Sequence, residues 1–197
     1  MYATRFNSPT NRVVLTGLMA ALALLLELFV HIPMFAEYLL YSPGDVPVIV
    51  TSVVLGPAPG LMAAFTKAAL FVVLTGKGGP LGGLMHFVAS GGMVLVLGLL
   101  ARKTKGKSWV LVPAAILTRV ALMVPMNLLI TPIYTGLPAS VIAQTLVPVV
   151  IPFNTVHAGI NTVLSLIVLK VFLENPRRLA RFQVALSEKG SGTEARH

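Results

Sequence analysis

Three polar side chains interrupt the apolar stretch "IPFNTVHAGIN" near the C-terminal end of the sequence. Asn154, His157 and Asn161 are spaced i, i+3 and i+7, so on an α-helix they occupy one face. Amides and imidazoles both donate and accept hydrogen bonds, and they are costly to leave unpaired in hydrocarbon. They either bond neighbouring helices together or line a cavity for a polar ligand. The cavity is favoured, because Asn127 is predicted at a similar depth in another apolar segment.

Aromatic and histidine side chains near these amides complete the predicted ligand site. Phe153 lies inside the same stretch, and the loop after the first apolar segment holds Phe35, Tyr38 and Tyr41. Aromatic rings provide a broad apolar wall and a few polar groups provide orientation, as in many small-molecule sites. The residues predicted to bind a ligand are Asn127, Asn154, His157, Asn161, Tyr41, Leu40, His86 and Tyr134.

Hydrolytic chemistry is the alternative use of His86, because Ser90 lies four residues further along the same predicted helix. A serine nucleophile needs a base that is oriented by a third group, and no acid stands beside this pair. The sequence also has no cysteine and no carboxylate-rich metal motif. We therefore predict no catalytic residue, no metal ligand and no cofactor.

Ionisable side chains inside apolar segments need a specific reason, because a charge at mid-bilayer costs about 2.5–3.5 kcal/mol on insertion scales. Glu27, Lys67 and Arg119 are in this position. Glu27 is a candidate counter-ion for either cation, and both cations are also placed to extend towards a membrane surface. Whether these charges are structural or contact a substrate stays open at this point.

The elements that carry these residues are predicted to be membrane helices. Apolar residues make up 56% of the chain and charged residues 11%, whereas a soluble domain is about a quarter charged. The predicted spans are residues 15–33, 46–55, 61–75, 84–100, 110–131 and 147–173. The fold class is thus an all-α membrane protein, a bundle of six transmembrane helices with a short second span. One transmembrane domain covers residues 1–175.

The positive charges indicate how the bundle is oriented. The net charge is +9, and the cations concentrate before the first span, in the loop "RKTKGK" and after the last span. If the second segment crosses, all three basic regions lie on one side, as the positive-inside rule requires. We therefore predict that both termini are cytoplasmic, with residues 176–197 as a basic, polar cytoplasmic tail. The same placement argues against a nucleic-acid partner.

Small residues in the first span form a possible contact between helices. Gly17 and Ala21 are four residues apart with Ala20 beside them, a spacing that lets helix backbones approach closely. The contact is either internal or with a partner membrane protein. The chain has no ATPase motif and no convincing inverted repeat, so a binding subunit that uses its partners' energy is favoured over a stand-alone transporter.

The sequence resembles the substrate-binding S components of energy-coupling factor vitamin transporters, particularly the riboflavin-type branch. The resemblance rests on "GLMAALALLLELF", "GDVPVIVTSVVLGPAPGLMAAFTKAALFVVLTG", "MNLLITPIYTG" and "IPFNTVHAGI", and it extends over most of residues 15–173. It implies a six-helix protein of a prokaryotic plasma membrane that captures a vitamin near the extracellular face. Riboflavin would be the transported substrate rather than a cofactor.

The resemblance also implies partners and roles for individual residues. Gly17 and Ala21 match the small residues that dock on a membrane coupling protein, which works with two cytoplasmic ATPases. Asn127 and Asn154 match polar residues that bind the flavin. His157 stands where a lysine is usual. Other S components bind pantothenate, folate or thiamine, and an intramembrane enzyme or a structural subunit without a small ligand is the alternative from another class.

Overall fold

The computed structural model describes residues 8–104 and 108–173, apart from the side chains at positions 37, 38, 108, 134, 172 and 173. The predicted cytoplasmic tail, residues 176–197, therefore lies outside the described residues. Seven α-helices occur in the described ranges: α1 (Pro9–Phe29), α2 (Asp45–Leu55), α3 (Pro57–Thr75), α4 (Gly79–Thr104), α5 (Ser108–Thr135), α6 (Ala139–Thr145) and α7 (Ile151–Val168). Two π-helical segments, Leu146–Val150 and Leu169–Leu173, flank α7.

The all-α membrane fold that the sequence predicts is confirmed. Among the described residues, five helical stretches are long and apolar enough to cross a bilayer: Pro9–Phe29, Pro57–Thr75, Gly79–Thr104, Trp109–Ile133 and Ala139–Val171. The last of these joins α6, the first π-helical segment and α7 into one span. The sixth apolar helix is α2, with 11 residues.

The short helix α2 lies in the centre of the bundle, because it packs against α1, α3, α4 and α7. At 1.5 Å per residue it is about 16 Å long, roughly half the hydrocarbon thickness. Its neighbours separate it from lipid, so it carries buried polar residues such as Asp45, Thr51 and Ser52. The core around it is built of small and branched residues, including Ala23, Val48 and Ala158.

Close packing of α2 against its neighbours depends on glycine. A side-chain carbon at Gly98 of α4 would collide with Ser52 of α2, and one at Gly60 of α3 would lie 2.5 Å from the same serine. With both glycines in place, the Ser52 hydroxyl donates to the Val94 carbonyl at 2.5 Å. This contact satisfies a polar group that would otherwise be unpaired inside the bundle.

A β-hairpin replaces the loop that the sequence analysis expects between the first two spans. Strand β1 (Ile32–Met34) pairs antiparallel with β2 (Ala36–Tyr41), with Ile32 opposite Tyr41. Phe35 makes the turn at φ 64°, an uncommon left-handed conformation for a residue other than glycine. The prediction missed the hairpin because the strands are short and their apolar residues do not alternate clearly.

The end of the bundle that holds the α2–α3 turn is basic. The Arg12 side chain near the start of α1 donates from Nη2 to the Leu55 carbonyl at 2.7 Å. The Arg102 guanidinium, near the end of α4, lies against Gly56 in the turn itself. Cations at a helix C-terminus interact favourably with its dipole. These contacts place the start of α1 and the end of α4 at the same end of the molecule.

Candidate functional site

The polar stripe of α7 faces the interior of the bundle. Asn154 and His157 are each 4% exposed and Asn161 is fully buried, whereas Ile160, Val163 and Leu164 on other faces are exposed. Amides and an imidazole are therefore kept away from the surface that lipid would contact, as the sequence predicts. The stripe begins one turn after the π-helical segment Leu146–Val150, where the helix is locally widened.

Four buried charges lie at the centre of the bundle, and we call Glu27, Asp45, Lys67 and Arg119 the ion cluster. Lys67 Nζ lies 2.6 Å from Asp45 Oδ1 and 3.3 Å from Glu27 Oε2. Arg119 Nη1 lies 2.7 Å from Asp45 Oδ2. Two cations thus share two carboxylates. Pairing of this kind is what makes charges tolerable in a low-dielectric interior.

The side chains of Lys67 and Arg119 do not extend to a membrane surface, as the sequence allowed, because Lys67 is fully buried and Arg119 is 5% exposed. That interpretation of the two cations is wrong. Of the two pairings that the sequence leaves open for Glu27, the structure shows the one with Lys67. Arg119 pairs instead with Asp45, whose partner role has no local signal in the sequence. The usable signal is that Lys67 and Arg119 lie deep in apolar segments that hold only one acid, Glu27, so a second acid such as Asp45 at the edge of the next segment is needed.

Hydroxyl and imidazole groups complete the hydrogen bonding of the two carboxylates. Ser90 on α4 donates to Asp45 Oδ1 at 2.6 Å, and Ser42 after the hairpin donates to Glu27 Oε2 at 2.7 Å. His86 Nε2 lies 3.0 Å from Glu27 Oε1. Ser90 and His86 thus bond different carboxylates, and the described contacts hold no bond between them. The nucleophile–base pair considered for hydrolysis is not formed.

The ion cluster is in direct contact with the α7 stripe. Arg119 Nε donates to Asn154 Oδ1 at 3.1 Å, and His157 Nδ1 lies 3.8 Å from Asp45 Oδ2. Asn161 Nδ2 lies within hydrogen-bond distance of the Ser42 carbonyl, at 3.2 Å, and of the His157 carbonyl, at 3.0 Å. Charges from α1, α2, α3 and α5 and amides from α7 therefore form one continuous polar region, which Ser42 joins to the end of the hairpin.

Aromatic rings border this region on the hairpin side. The Tyr41 ring meets His157 edge-on, with centroids 5.2 Å apart, and Phe153 lies 5.5 Å from the same imidazole. Burial, and secondly the negative charge of Asp45, raise the pKa of the Tyr41 hydroxyl, so it stays protonated at neutral pH. That hydroxyl is buried and has no hydrogen-bond partner among the described residues. A buried donor without a partner is a group that a ligand or water would satisfy.

Asn127 is not joined to the other predicted ligand residues. Its Nδ2 donates to the Met123 carbonyl at 2.8 Å and its oxygen accepts from Thr131 at 3.3 Å, both within α5. It lies eight residues, about 12 Å along the helix axis, beyond Arg119. Asn154 and His157 meet at the ion cluster and no described contact joins Asn127 to them, so a shared site that includes Asn127 stays a prediction.

The remaining predicted ligand residues have different environments. Leu40 pairs with Pro33 in the hairpin and is partly buried. His86 belongs to the hydrogen bonds around Glu27, and Tyr41 lies against His157. The side chain of Tyr134, like that of Tyr38, lies outside the described part of the structure. Among the residues described, no group of three or more histidines and carboxylates could hold a metal ion.

The small residues of α1 divide between the surface and the interior. Gly17 and Ala21 are exposed, and nothing lies within 4 Å of a side-chain carbon built at Gly17. Ala20, which the sequence also places on the docking face, is 3% exposed and belongs to the hydrophobic core. Next to Gly17, a groove of about 200 Å³ runs between α1 and α3; Arg12, Val13, Thr16, Gly17, Ala20, Pro59, Met62 and Thr66 line it.

Comparison with known proteins gives consistent matches in sequence and fold. The family model for the S component of the ECF-type riboflavin transporter matches residues 7–175. The riboflavin transporter FmnP of Bacillus subtilis (strain 168) is 26% identical over 183 residues, which cover 85% of this chain and 96% of that protein. A solved structure titled "Structure and mechanism of the S component of a bacterial ECF transporter" is similar with a TM-score of 0.70. It is 21% identical, and the match covers 89% of this chain and 99% of the other.

Proposed function

Because this chain belongs to the family of ECF-type riboflavin transporter S components, we propose that it captures riboflavin at the outer face of a prokaryotic plasma membrane and delivers it for uptake. Members of this family are transporter components, so the intramembrane enzyme considered above is set aside. The family match over residues 7–175 is the observation that carries the proposal. Riboflavin is accordingly the substrate that the protein binds, not a cofactor.

The polar region at α7 supports a flavin ligand on chemical grounds. The flavin ring edge alternates hydrogen-bond donors and acceptors, which suits the amide of Asn154 and the imidazole of His157. Tyr41 and Phe153 supply aromatic surface beside the imidazole. A site with a few oriented polar groups and aromatic walls is typical for a ligand with a broad apolar ring.

The orientation follows from the basic end of the bundle. Arg12 and Arg102 both contact the α2–α3 turn, so the start of α1 and the end of α4 lie on one side of the membrane. The positive-inside rule makes that side the cytoplasm. The hairpin and the end of α5 then face the exterior, where riboflavin is captured. Both termini are cytoplasmic in this arrangement.

The chain has no ATPase motif of its own, so in this proposal its partners supply the energy for uptake. The family relationship suggests a membrane coupling protein and two cytoplasmic ATPases as these partners. The exposed face of α1 around Gly17 and Ala21 is the docking surface in this proposal. Small residues there allow a partner helix to approach the α1 backbone closely.

Titration of the purified protein with riboflavin tests the capture step. Binding to the aromatic-walled site should quench flavin fluorescence, with a dissociation constant below about 1 μM. Pantothenate, folate and thiamine serve as comparison ligands in competition experiments. If riboflavin does not bind and one of the others does, the protein is an S component for a different vitamin, and the proposed substrate is wrong.

A further inference from the structure

The side-chain amide of Asn154 is held in one orientation by two partners that cannot exchange roles. Its Oδ1 accepts from Arg119 Nε at 3.1 Å, and its Nδ2 donates to the Val150 carbonyl at 2.8 Å. A guanidinium nitrogen only donates and a carbonyl oxygen only accepts, so turning the amide over would break both bonds. The positions of oxygen and nitrogen are therefore fixed by chemistry, although an isolated amide is ambiguous.

Arg119 is itself immobilised by the ion cluster. Its Nη1 donates to Asp45 Oδ2 at 2.7 Å, and the other oxygen of that carboxylate accepts from Lys67 and Ser90, each at 2.6 Å. Arg119 as a whole is 5% exposed, and its guanidinium bonds Asp45 of α2 and Asn154 of α7. A planar, charged group with two hydrogen bonds at different nitrogens has little freedom to rotate.

These two bonds leave the Asn154 amide able to accept one more hydrogen bond at its oxygen and to donate one more from its nitrogen. An amide oxygen accepts two hydrogen bonds and an amide nitrogen donates two, and the described residues use one of each. One acceptor position and one N–H therefore remain. A ligand edge with a donor beside an acceptor, as in a cyclic amide or imide, would match this pair, whereas an edge with a blocked donor would not.

We propose that Arg119 is a positioning residue that fixes the Asn154 amide, so that the site selects ligands with an adjacent donor and acceptor on a ring edge. The flavin ring carries such an imide edge, and the inference rests on the proposed function in naming that ligand class. Arg119 acts through Asn154 and needs no contact with the substrate. Without it, only the Val150 carbonyl still orients the amide, so the amide is held less firmly and its preference for one edge weakens.

The test compares riboflavin with N3-methylriboflavin, in which the imide donor is blocked. The protein with its natural sequence should prefer riboflavin by about tenfold or more, the usual worth of one good hydrogen bond to a buried partner. Arg119→Met removes every N–H of this side chain. Arg119→Lys keeps the positive charge beside Asp45 but has one nitrogen instead of a fork. Both variants should reduce the preference to less than about threefold.

Thr118→Val is the matched control, because Thr118 is the neighbouring residue on α5 and its hydroxyl bonds only the Ala114 carbonyl of its own helix. Its preference for riboflavin should be unchanged. If Arg119→Met fails to fold, Arg119→Lys carries the test alone, since it preserves the charge balance of the ion cluster.

A purely structural role for Arg119 would weaken both ligands equally and leave the preference unchanged, and that result would overturn the proposal. An unaltered preference at full affinity would overturn it as well. If the proposed function is wrong, the result is different, because the protein with its natural sequence then binds no riboflavin. In that case the ligand class named here is also wrong.

Discussion

At the scale of single residues, Asp45 has the largest number of charged and polar partners among the buried groups. Lys67, Arg119 and Ser90 all bond its two oxygens, and His157 Nδ1 lies 3.8 Å away. Removing one partner of a buried ion pair leaves an uncompensated charge, which typically costs about 3–5 kcal/mol. The stability of the bundle should therefore depend more on Asp45 than on any single apolar contact.

Asp45→Asn should lower the stability of the protein by about 3–5 kcal/mol, because the amide keeps the shape but no longer balances two cations. Thermal unfolding in detergent measures the change. Ser90→Ala is the comparison, since it removes one neutral donor to the same carboxylate and should cost about 1 kcal/mol. Equal melting temperatures for Asp45→Asn and the natural sequence would contradict this account of the ion cluster.

Replacement of Asn154 by alanine should weaken riboflavin binding by about 1–3 kcal/mol, the cost of an unpaired buried polar partner. A similar loss would follow for Asn127→Ala if Asn127 also bound the ligand, as the sequence predicts. The structure predicts a smaller loss of affinity for Asn127→Ala, because the Asn127 amide bonds within α5. Titration of both variants separates the two positions. If Asn154→Ala keeps its affinity and loses stability instead, the stripe serves only to hold helices together.

Part of this site could be read from the sequence and part could not. The spacing of Asn154, His157 and Asn161 predicts an inward face of one helix, because periodicity is a local property. The bonds of Asp45 to Lys67, Ser90 and Arg119 join residues 22, 45 and 74 positions apart. No local pattern encodes which charge meets which, since pairing is decided by how the helices pack.

At the scale of elements, α1 has a core face and an exposed face. Ala20, Ala23 and Glu27 point into the bundle, whereas Gly17, Leu18 and Ala21 are exposed. The sequence motif includes Ala20 because it judges residues by size, and size does not tell which side of a helix is buried. The open surface at Gly17 is what a partner helix would approach.

Ala21→Phe should therefore leave riboflavin affinity unchanged and abolish riboflavin uptake by cells that also produce the coupling protein and the ATPases. A bulky ring on the small-residue face prevents close helix contact. Leu117→Phe on α5 is the control, because Leu117 is 69% exposed on a different helix. Loss of riboflavin binding in Ala21→Phe would indicate that this face of α1 packs internally.

The short helix α2, for which the sequence leaves open whether it crosses the membrane, lies at the centre of the bundle. Its 11 residues are too few to cross a bilayer upright, yet four helices surround it, so its length need not match the hydrocarbon thickness. A window of sequence contains only the local signal, so it does not show that other helices surround α2. The hairpin was missed because its own local signal is weak: the strands are short and do not alternate clearly.

At the scale of the whole molecule, the charge distribution should set the orientation in the membrane. Arg12 and Arg102 meet at the α2–α3 turn, and Lys103 follows at the same end of α4. Thr135 ends α5, which leads away from that end. The positive-inside rule then predicts that position 103 is cytoplasmic and that position 135 is outside.

Single cysteines can report this orientation cleanly, because the chain has no cysteine of its own. Thr135→Cys should react with a membrane-impermeant maleimide in intact cells, and Lys103→Cys should react only after the cells are permeabilised. Both positions are exposed in the folded bundle, so each should be labelled once the reagent reaches it. The reverse pattern would place the hairpin and its aromatic residues on the cytoplasmic side.

Native mass spectrometry of the protein, gently purified from membranes of cells supplied with riboflavin, tests the central claim most directly. The claim is that a buried polar region on α7, held by the ion cluster, captures riboflavin. The account predicts a bound species with the mass and absorbance of riboflavin, present in the natural sequence and depleted in Asn154→Ala. Protein that is free of flavin in every preparation, or that holds equal amounts of flavin in both forms, would contradict it.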